Sequence, residues 1–272
     1  MSGKLYVVGT PIGNLGDFSP RAVETLESVD FIAAEDTRVT LKLLNHFGIK
    51  KEMVSYFEHN KNERGDVIIS RLAKGETCAI CTDAGMPVIS DPGEDLVKLC
   101  HENNIDVESV PGPTAFATAL AISGMNTRKF TFEGFLSANK KERREELEEL
   151  ANEKRTMVFY EAPHKLTQTL KDMYEVFGER DIALVKEITK VHENVVRTDL
   201  KTASTMFDEE KPKGEFVVIV DGKKIEEKEI SFDKAVEEAK RLMADGMSTN
   251  AAAKEVAKIT SFKKNDIYKA LL

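Results

Sequence analysis

Leu5-Tyr6-Val7-Val8-Gly9-Thr10-Pro11-Ile12-Gly13-Asn14 sets four apolar residues directly before a Gly/Pro loop. The arrangement recurs twice. Cys78–Cys81 leads into Thr82-Asp83-Ala84-Gly85-Met86-Pro87 and then Ser90-Asp91-Pro92-Gly93, and Val107–Val110 leads into Pro111-Gly112-Pro113-Thr114. Short apolar runs bounded by such turns predict strands buried on both faces. Phe31–Ala34 and Val54–Phe57 fit the same description. Helical stretches separate the runs. One opens at Ser19-Pro20, one runs from near Asn62 to Ala73 and stops at Gly75, and one carries Leu96, Leu99 and Cys100 on a single face. Ala115–Ile122 is expected to close the first domain. Alternating strand and helix predicts an α/β fold with a mostly parallel sheet. Ligands of such sheets bind at the loops following the strands, and Gly-rich loops let the main chain approach them closely.

Neither G-x-x-x-x-G-K-[ST] nor G-x-G-x-x-G occurs. Both motifs cradle phosphate at a helix N-terminus. A nucleoside-like ligand without phosphate is therefore expected, and S-adenosylmethionine fits that description.

The second half changes character. Lys140–Glu153 predicts a charged helix, Met157–Tyr160 a strand, and Leu166, Leu170, Met173 and Phe177 the stripe of a helix. Longer strands follow at Ile182–Ile188, Val191–Thr198 and Phe216–Val220, the first two close enough in sequence to pair antiparallel. Three parts result: a parallel α/β domain over 1–124, a mixed-sheet α/β domain over 125–222 and a helical tail over 223–272. The tail begins with a charged linker, Glu226-Glu227-Lys228-Glu229, and residues 247–272 carry five Lys against Glu255 and Asp266. It is either a helix-turn-helix unit or a small bundle.

Several segments together resemble one family. Leu5–Leu15 looks like the opening of the tetrapyrrole-methylase superfamily. Ala34-Glu35-Asp36-Thr37-Arg38, Thr82–Gly85, Ser90–Gly93, Pro111–Ala115, Glu133-Gly134-Phe135-Leu136, Phe159–His164, Lys186–Lys190 and Lys213-Gly214-Glu215 resemble the ribosomal RNA small-subunit methyltransferase I family within it. The resemblance spans about residues 4 to 221. It implies two α/β domains with a cofactor cleft between them, S-adenosylmethionine as cofactor, and methylation of a ribose 2′-hydroxyl on a cytidine of 16S ribosomal RNA near the decoding centre. The small ribosomal subunit is the implied partner, and a cytoplasmic homodimer the implied state.

Carried onto this sequence, the cofactor positions are Pro11, Ile12, Asp83, Ala84, Gly85, Met86, Pro87, Thr114, Ala115, Ala162 and Gly214. Met86 stands where Thr or Ser is usual, Lys186 replaces a common Arg, and Ser137 a common Pro. Glu35, Asp36 and Glu187 are candidates for the general base that a ribose hydroxyl needs, and nothing in the sequence chooses among them. Arg38, His59, Asn60, Lys140, Lys141, Arg143 and Arg144 are candidates for facing RNA, Arg38 because its fork suits a phosphate. The competing expectation for the last four is a solvated helix face pairing with its own glutamates. Alternatives for the whole chain are a methyltransferase acting on a tetrapyrrole or other small molecule, and a non-enzymatic RNA-binding protein.

Composition constrains these expectations. The 272 residues carry 39 Lys and Arg against 47 Asp and Glu, a net charge of −8. RNA contact must then use a local basic patch, because phosphate contacts dominate nucleic-acid affinity. No Trp and only five Tyr make base stacking an unobtrusive feature. The early apolar run is too short for a signal peptide or membrane span. Three cysteines imply no disulfide framework. Cys78 and Cys81, three apart on a strand, point to opposite faces and cannot share an ion; no metal is expected. Asp91, just before Pro92-Gly93, is expected to cap a helix or brace its loop, and Asp83 to face the ligand.

Overall fold

The computed structural model describes residues 3–224 and 231–272; the linker Glu226–Glu229 lies outside them. The chain divides into two compact units, Met1–Lys223 and Lys224–Leu272.

The first unit runs β1 (Lys4–Val8), α1 (Pro20–Ser28), β2 (Phe31–Ala34), α2 (Thr37–His46), β3 (Glu52–Ser55), α3 (Lys61–Ala73), β4 (Cys78–Cys81), α4 (Glu94–Glu102), β5 (Asp106–Val110) and α5 (Ala115–Ser123). It continues with β6 (Phe130–Phe135), α6 (Lys140–Glu149), β7 (Thr156–Glu161), α7 (Pro163–Phe177), β8 (Asp181–Lys186), β9 (Asn194–Asp199), α8 (Leu200–Thr205) and β10 (Phe216–Val220). The first five strands form a parallel sheet in the order β3-β2-β4-β1-β5. Its two faces carry separate cores. Leu5, Phe31, Cys78 and Ile80 lie on one, and Val8, Ile32, Ala79 and Cys81 on the other. Cys78 and Cys81 do diverge, as their spacing on a strand dictates. The second sheet has the order β6-β7-β10-β8-β9 and is mixed, with β6 parallel to β7 and the remaining pairs antiparallel.

Several elements depart from expectation. β3 starts two residues early because its register with β2 pairs Phe31 with Glu52 and Ala34 with Ser55. β8 ends at Lys186, since the chain turns left-handed at Glu187 (φ 51°) and again at Thr189 (φ 65°). β9 correspondingly begins only at Asn194, leaving Val191 95% exposed. α6 stops at Glu149. The elements α2, β6 and α8 lie in stretches where the sequence pattern gave no clear period. Helix α5 differs most. Its residues Ala115, Phe116, Ala119 and Leu120 pack with Val158, Ala183, Val185, Val217 and Ile219 of the second sheet. Ala115-Phe-Ala-Thr-Ala-Leu-Ala-Ile-Ser123 is apolar nearly all round, so it can bury more than one side.

The second unit is α9 (Phe232–Ala244), α10 (Thr249–Ile259) and α11 (Lys264–Ala270). Ser231 and Ser248 cap the first two helices by accepting from the amides of Lys234 and Ala251. Ala235, Ala239, Ala252, Ala253, Val256 and Ile267 form its own small core.

Candidate active site in the cleft between the two sheets

The strand-end loops of both sheets converge on one cavity of about 510 Å³, within the usual range for small-molecule sites. Ile12 follows β1, Glu35 follows β2, Asp83 to Asp91 follow β4, and Thr114-Ala115 follow β5. The second sheet contributes Phe135, Tyr160, Glu161, Ala162, Val185 and Phe216, among others.

Main-chain packing fixes this convergence. Thr10 and Gly85 exchange backbone hydrogen bonds, Thr10 N–H donating to Gly85 O (2.9 Å) and Gly85 N–H to Thr10 O (3.2 Å). Gly85 has φ +96°, a conformation costly for any side chain. Gly9 and Gly112 lie back to back. A Cβ on Gly112 would sit 2.8 Å from three main-chain atoms of Gly9. The β4 loop is also strained, with Val88 at φ 78° and Ser90 at φ 60°. A β-branched residue there is held only by its surroundings, a condition common at ligand sites.

The electrostatics of the cavity are one-sided. Glu35, Asp83, Asp91, Glu161 and Glu215 line it, and among the described residues no Lys, Arg or His does. Asp36 N–H donates to Asp83 Oδ1 (3.2 Å) and Asp83 N–H to Glu35 Oε2 (3.4 Å), tying the ends of β2 and β4 together. Burial raises the carboxyls of Glu35 and Asp83 above their ordinary values. Asp91 is pushed up to about 7 by burial, with the charges of Glu35 and Asp83 adding to the effect and Thr82 opposing it. Glu161 is neutralised by Lys165 (3.1 Å) and accepts the Thr169 hydroxyl (2.6 Å). Two helices begin at the cavity, α5 at Ala115 and α7 at Pro163; neither is capped by its own N-cap side chain, and on α5 the Tyr160 hydroxyl accepts from the Phe116 amide (3.0 Å). Uncapped N-termini favour a carboxylate or other anion.

Of the residues singled out in the sequence, Ile12, Glu35, Asp83, Ala84, Gly85, Met86, Thr114, Ala115 and Ala162 line this cavity. Pro11, Pro87 and Gly214 do not. Gly214 (φ +87°) lies against the Glu187 side chain, where a Cβ would fall 2.6 Å from Glu187 Cγ. Glu187 itself accepts from Glu215 N–H (2.9 Å) and pairs with Lys190 (3.1 Å), so its carboxyl is held below the ordinary range. Asp36 accepts from Arg38 N–H (2.8 Å) as the cap of α2 and pairs with the Arg38 guanidinium (2.6 Å). Those bonds hold its carboxyl at about 2. Asn60 braces its own loop, accepting from Phe57 N–H (2.8 Å) and donating to Ser55 O (3.1 Å). His59 is exposed, near the Phe57 ring.

The basic stretch on α6 divides. Lys140 and Lys141 are exposed, and Arg144 pairs with Glu148 and Glu175 at 3.3 Å each. Arg143 corrects the sequence expectation. Its side chain is 5% exposed, it pairs with Asp172 (2.6 Å), and it donates to the carbonyls of Ser137 and Ala138. A guanidinium committed in this way is unavailable to RNA. Asp91 is a second correction: α4 begins at Glu94 with Gly93 as its cap, which frees Asp91 to face the cavity. Phe135, Tyr160 and Glu161 were not expected in the site. Their segments resembled the family, but no residue type in them announced a chemical role.

Among the described residues no group of three or more His, Cys, Asp or Glu side chains is arranged to hold a metal ion, and no helix is long and apolar enough to cross a membrane.

Comparison with known proteins agrees with this architecture. The tetrapyrrole (corrin/porphyrin) methylases match residues 4–204, and the RsmI C-terminal HTH domain matches residues 231–272. Of the two expectations for the tail, the match favours the helix-turn-helix. A cobalt precorrin-4 methyltransferase shares the fold at TM-score 0.59 and 20% identity, covering 80% of this chain and 94% of that one. A uroporphyrin-III-C-methyltransferase from Thermus thermophilus does so at 0.57 and 21%, with the same coverage. A ribosomal RNA small subunit methyltransferase I of Synechocystis sp. is 45% identical over 272 residues, covering 99% of this chain and 98% of its own. One of Escherichia coli O157:H7 is 41% identical over 273 residues, covering 99% and 95%. One of Thermotoga maritima is 47% identical over 221 residues, which are 81% of this chain but 99% of that protein. The chain belongs to the tetrapyrrole methylase family and, within it, to the ribosomal RNA small subunit methyltransferase I family.

Proposed function

We propose that the protein uses S-adenosylmethionine to methylate the ribose 2′-hydroxyl of a cytidine in 16S ribosomal RNA, near the decoding centre of the small subunit. The observation that carries this is the full-length match, both units included, to relatives named for that ribosomal RNA. Those relatives support the substrate class. The 2′-hydroxyl, the cytidine and its position follow from the family resemblance of the sequence.

The cavity suits the cofactor on chemical grounds. Five lining carboxyls against the two lysines that pair with Glu161 and Glu215 favour a positive ligand and disfavour a polyphosphate. The apolar wall formed by Ile12, Met86, Val185, Ile188 and Val217 suits the flat face of an adenine. The start of α7, with no capping side chain, and the Ala115 end of α5 suit an amino acid's carboxylate. When bound, the cofactor supplies a methyl group already activated by its sulfonium charge.

The chain's own contribution is positioning, exclusion of water and removal of one proton. Of the three sequence candidates for the base, Asp36 and Glu187 are held in ion pairs, and Glu35 faces the cavity. We assign the proton acceptor to Glu35. Burial first, then the charges of Glu35 and Asp83, raise Asp91 to about 7, so Asp91 holds a proton beside the acceptor over much of the acid range. The reading also carries a cytoplasmic homodimer, which sedimentation of the purified chain tests.

The deciding experiment is transfer from radiolabelled S-adenosylmethionine to small subunits from cells lacking this protein, followed by nucleoside analysis. Label on the ribose of cytidine is expected. Label on a base, or none despite calorimetric cofactor binding, overturns the assignment while leaving the family intact.

A further inference from the structure

Phe135 is a large apolar side chain left 54% exposed at the cavity. Its placement is built rather than incidental. The register of β6 against β7 slips between Phe132 and Gly134, and Gly134 adopts φ +65°. A bulge of this kind re-aims the side chain that follows it. Ser90, from the strained β4 loop, comes to 3.1 Å of where a Gly134 Cβ would stand, so the bulge is packed from the opposite wall.

Behind Phe135 stands a chain of rings. Phe116 stacks on Phe132 (4.5 Å), Phe132 meets Tyr160 edge-on (4.9 Å), and Tyr160 meets Phe135 at a tilt (5.4 Å). The Tyr160 hydroxyl accepts from Phe116 N–H (3.0 Å) and locks the set. Beside the exposed ring lies a cation. Lys165 Nζ is 5.9 Å from the Phe135 centroid, held by Leu136 O (3.2 Å) and Glu161 (3.1 Å). Among the described residues the lining proper has no cation; Lys165 at this ring and Lys190, paired with Glu215 (2.9 Å), are the cations at its edge. A rigid aromatic face with an adjacent cation is how unstacked bases are received.

We infer that Phe135 is the platform on which the base of the target nucleotide stacks when its ribose enters the cleft, with Lys165, held in place by Glu161 and Leu136 O, lying against the edge of that platform. This rests on the RNA substrate proposed above. Phe135 acts as a positioning residue: it lowers the KM for the subunit and takes no part in proton or methyl transfer. The low aromatic content of the chain thus conceals one concentrated stacking site.

The chain contains no Trp, so Phe135→Trp introduces a single indole at the site. In the full-length protein with cofactor bound, addition of undermethylated small subunits is expected to quench its fluorescence, and fully methylated subunits to quench it less. Phe135→Ala is expected to raise the KM for subunits about 5- to 100-fold, the usual worth of one stacked base, with kcat and cofactor affinity by calorimetry each within about threefold of the parent. Phe135→Trp is expected to keep the KM near that of the parent.

Wild-type protein that transfers no methyl group to these subunits defeats the substrate reading itself. Wild-type transfer together with an unquenched indole defeats the stacking assignment alone. So does Phe135→Ala that weakens cofactor binding and leaves the subunit KM unmoved, since the ring would then belong to the cofactor's slot. Should Phe135→Ala lose its circular dichroism signature, the quenching result decides by itself.

Discussion

Replacing Arg143 with Met tests whether the α6 basic stretch works outward or inward. The structure leaves both Arg143 and Asp172 about 5% exposed, joined through Nε–Oδ2 (2.8 Å) and Nη2–Oδ2 (2.6 Å). Asp172 has one other partner of note, the Gln168 amide (2.9 Å). Arg143→Met therefore strands a buried carboxylate on a single neutral donor. Losing one member of a buried pair costs about 3–5 kcal/mol. In a body of about 220 residues each kcal/mol moves the melting temperature by about 2–4 °C, so a fall of roughly 6–20 °C is expected. Arg143→Met combined with Asp172→Leu removes both charges and should regain most of the loss. Urea and thermal unfolding of the three proteins by circular dichroism give the comparison, with the subunit KM measured in parallel. The reasoning fails if Arg143→Met unfolds within about 1 kcal/mol of the parent and instead raises the KM. It fails equally if the double variant is no more stable than the single one.

Asp91, raised to about 7, keeps a proton in the folded chain that the unfolded chain gives up near pH 4. Folded stability should therefore fall as pH rises from about 4 to 7, and Asp91→Asn should flatten that decline in urea midpoints measured across the interval. The same carboxyls should make calorimetric affinity for S-adenosylmethionine climb between pH 6 and 8, while the neutral thioether product changes less; parallel curves for the two would count against an electrostatic role. Gly112→Val presses a side chain into the Gly9 main chain, and is expected to cost about 3 kcal/mol or more, or to yield insoluble protein. Asp36→Asn preserves the α2 cap and should retain most methyl transfer, whereas Glu35→Gln should lower kcat about 100-fold or more; the reverse order in single-turnover rates would reassign the base.

The first sheet was legible because each of its strands is a short apolar run closed by Gly or Pro, a signal independent of tertiary partners. The loops that follow those strands named most of the first-sheet wall of the cavity. What stayed hidden depended on contacts. β6 reads as neither strand nor loop, because its bulge breaks the alternation at Gly134. Arg143 looks identical to Lys141 in sequence, and only the position of Asp172 on α7 turns it inward. Asp91 resembles a cap by spacing, yet the helix begins three residues later. Of the base candidates, Glu35 and Asp36 are adjacent and of the same charge. Which one is free is decided by Arg38, whose fork closes on Asp36.

Helix α5 has a consequence for how the molecule comes apart. Its apolar surface is buried against the second sheet, while the loop leading into it is pinned to the first by the Gly9–Gly112 contact. Releasing either sheet would bare that helix to water, a large hydrophobic penalty. The two sheets should therefore melt in one cooperative transition. The three-helix unit beyond residue 224 has its own core. A calorimetric trace is expected to show one dominant peak for residues 1–223, with any separate minor peak belonging to the helical unit.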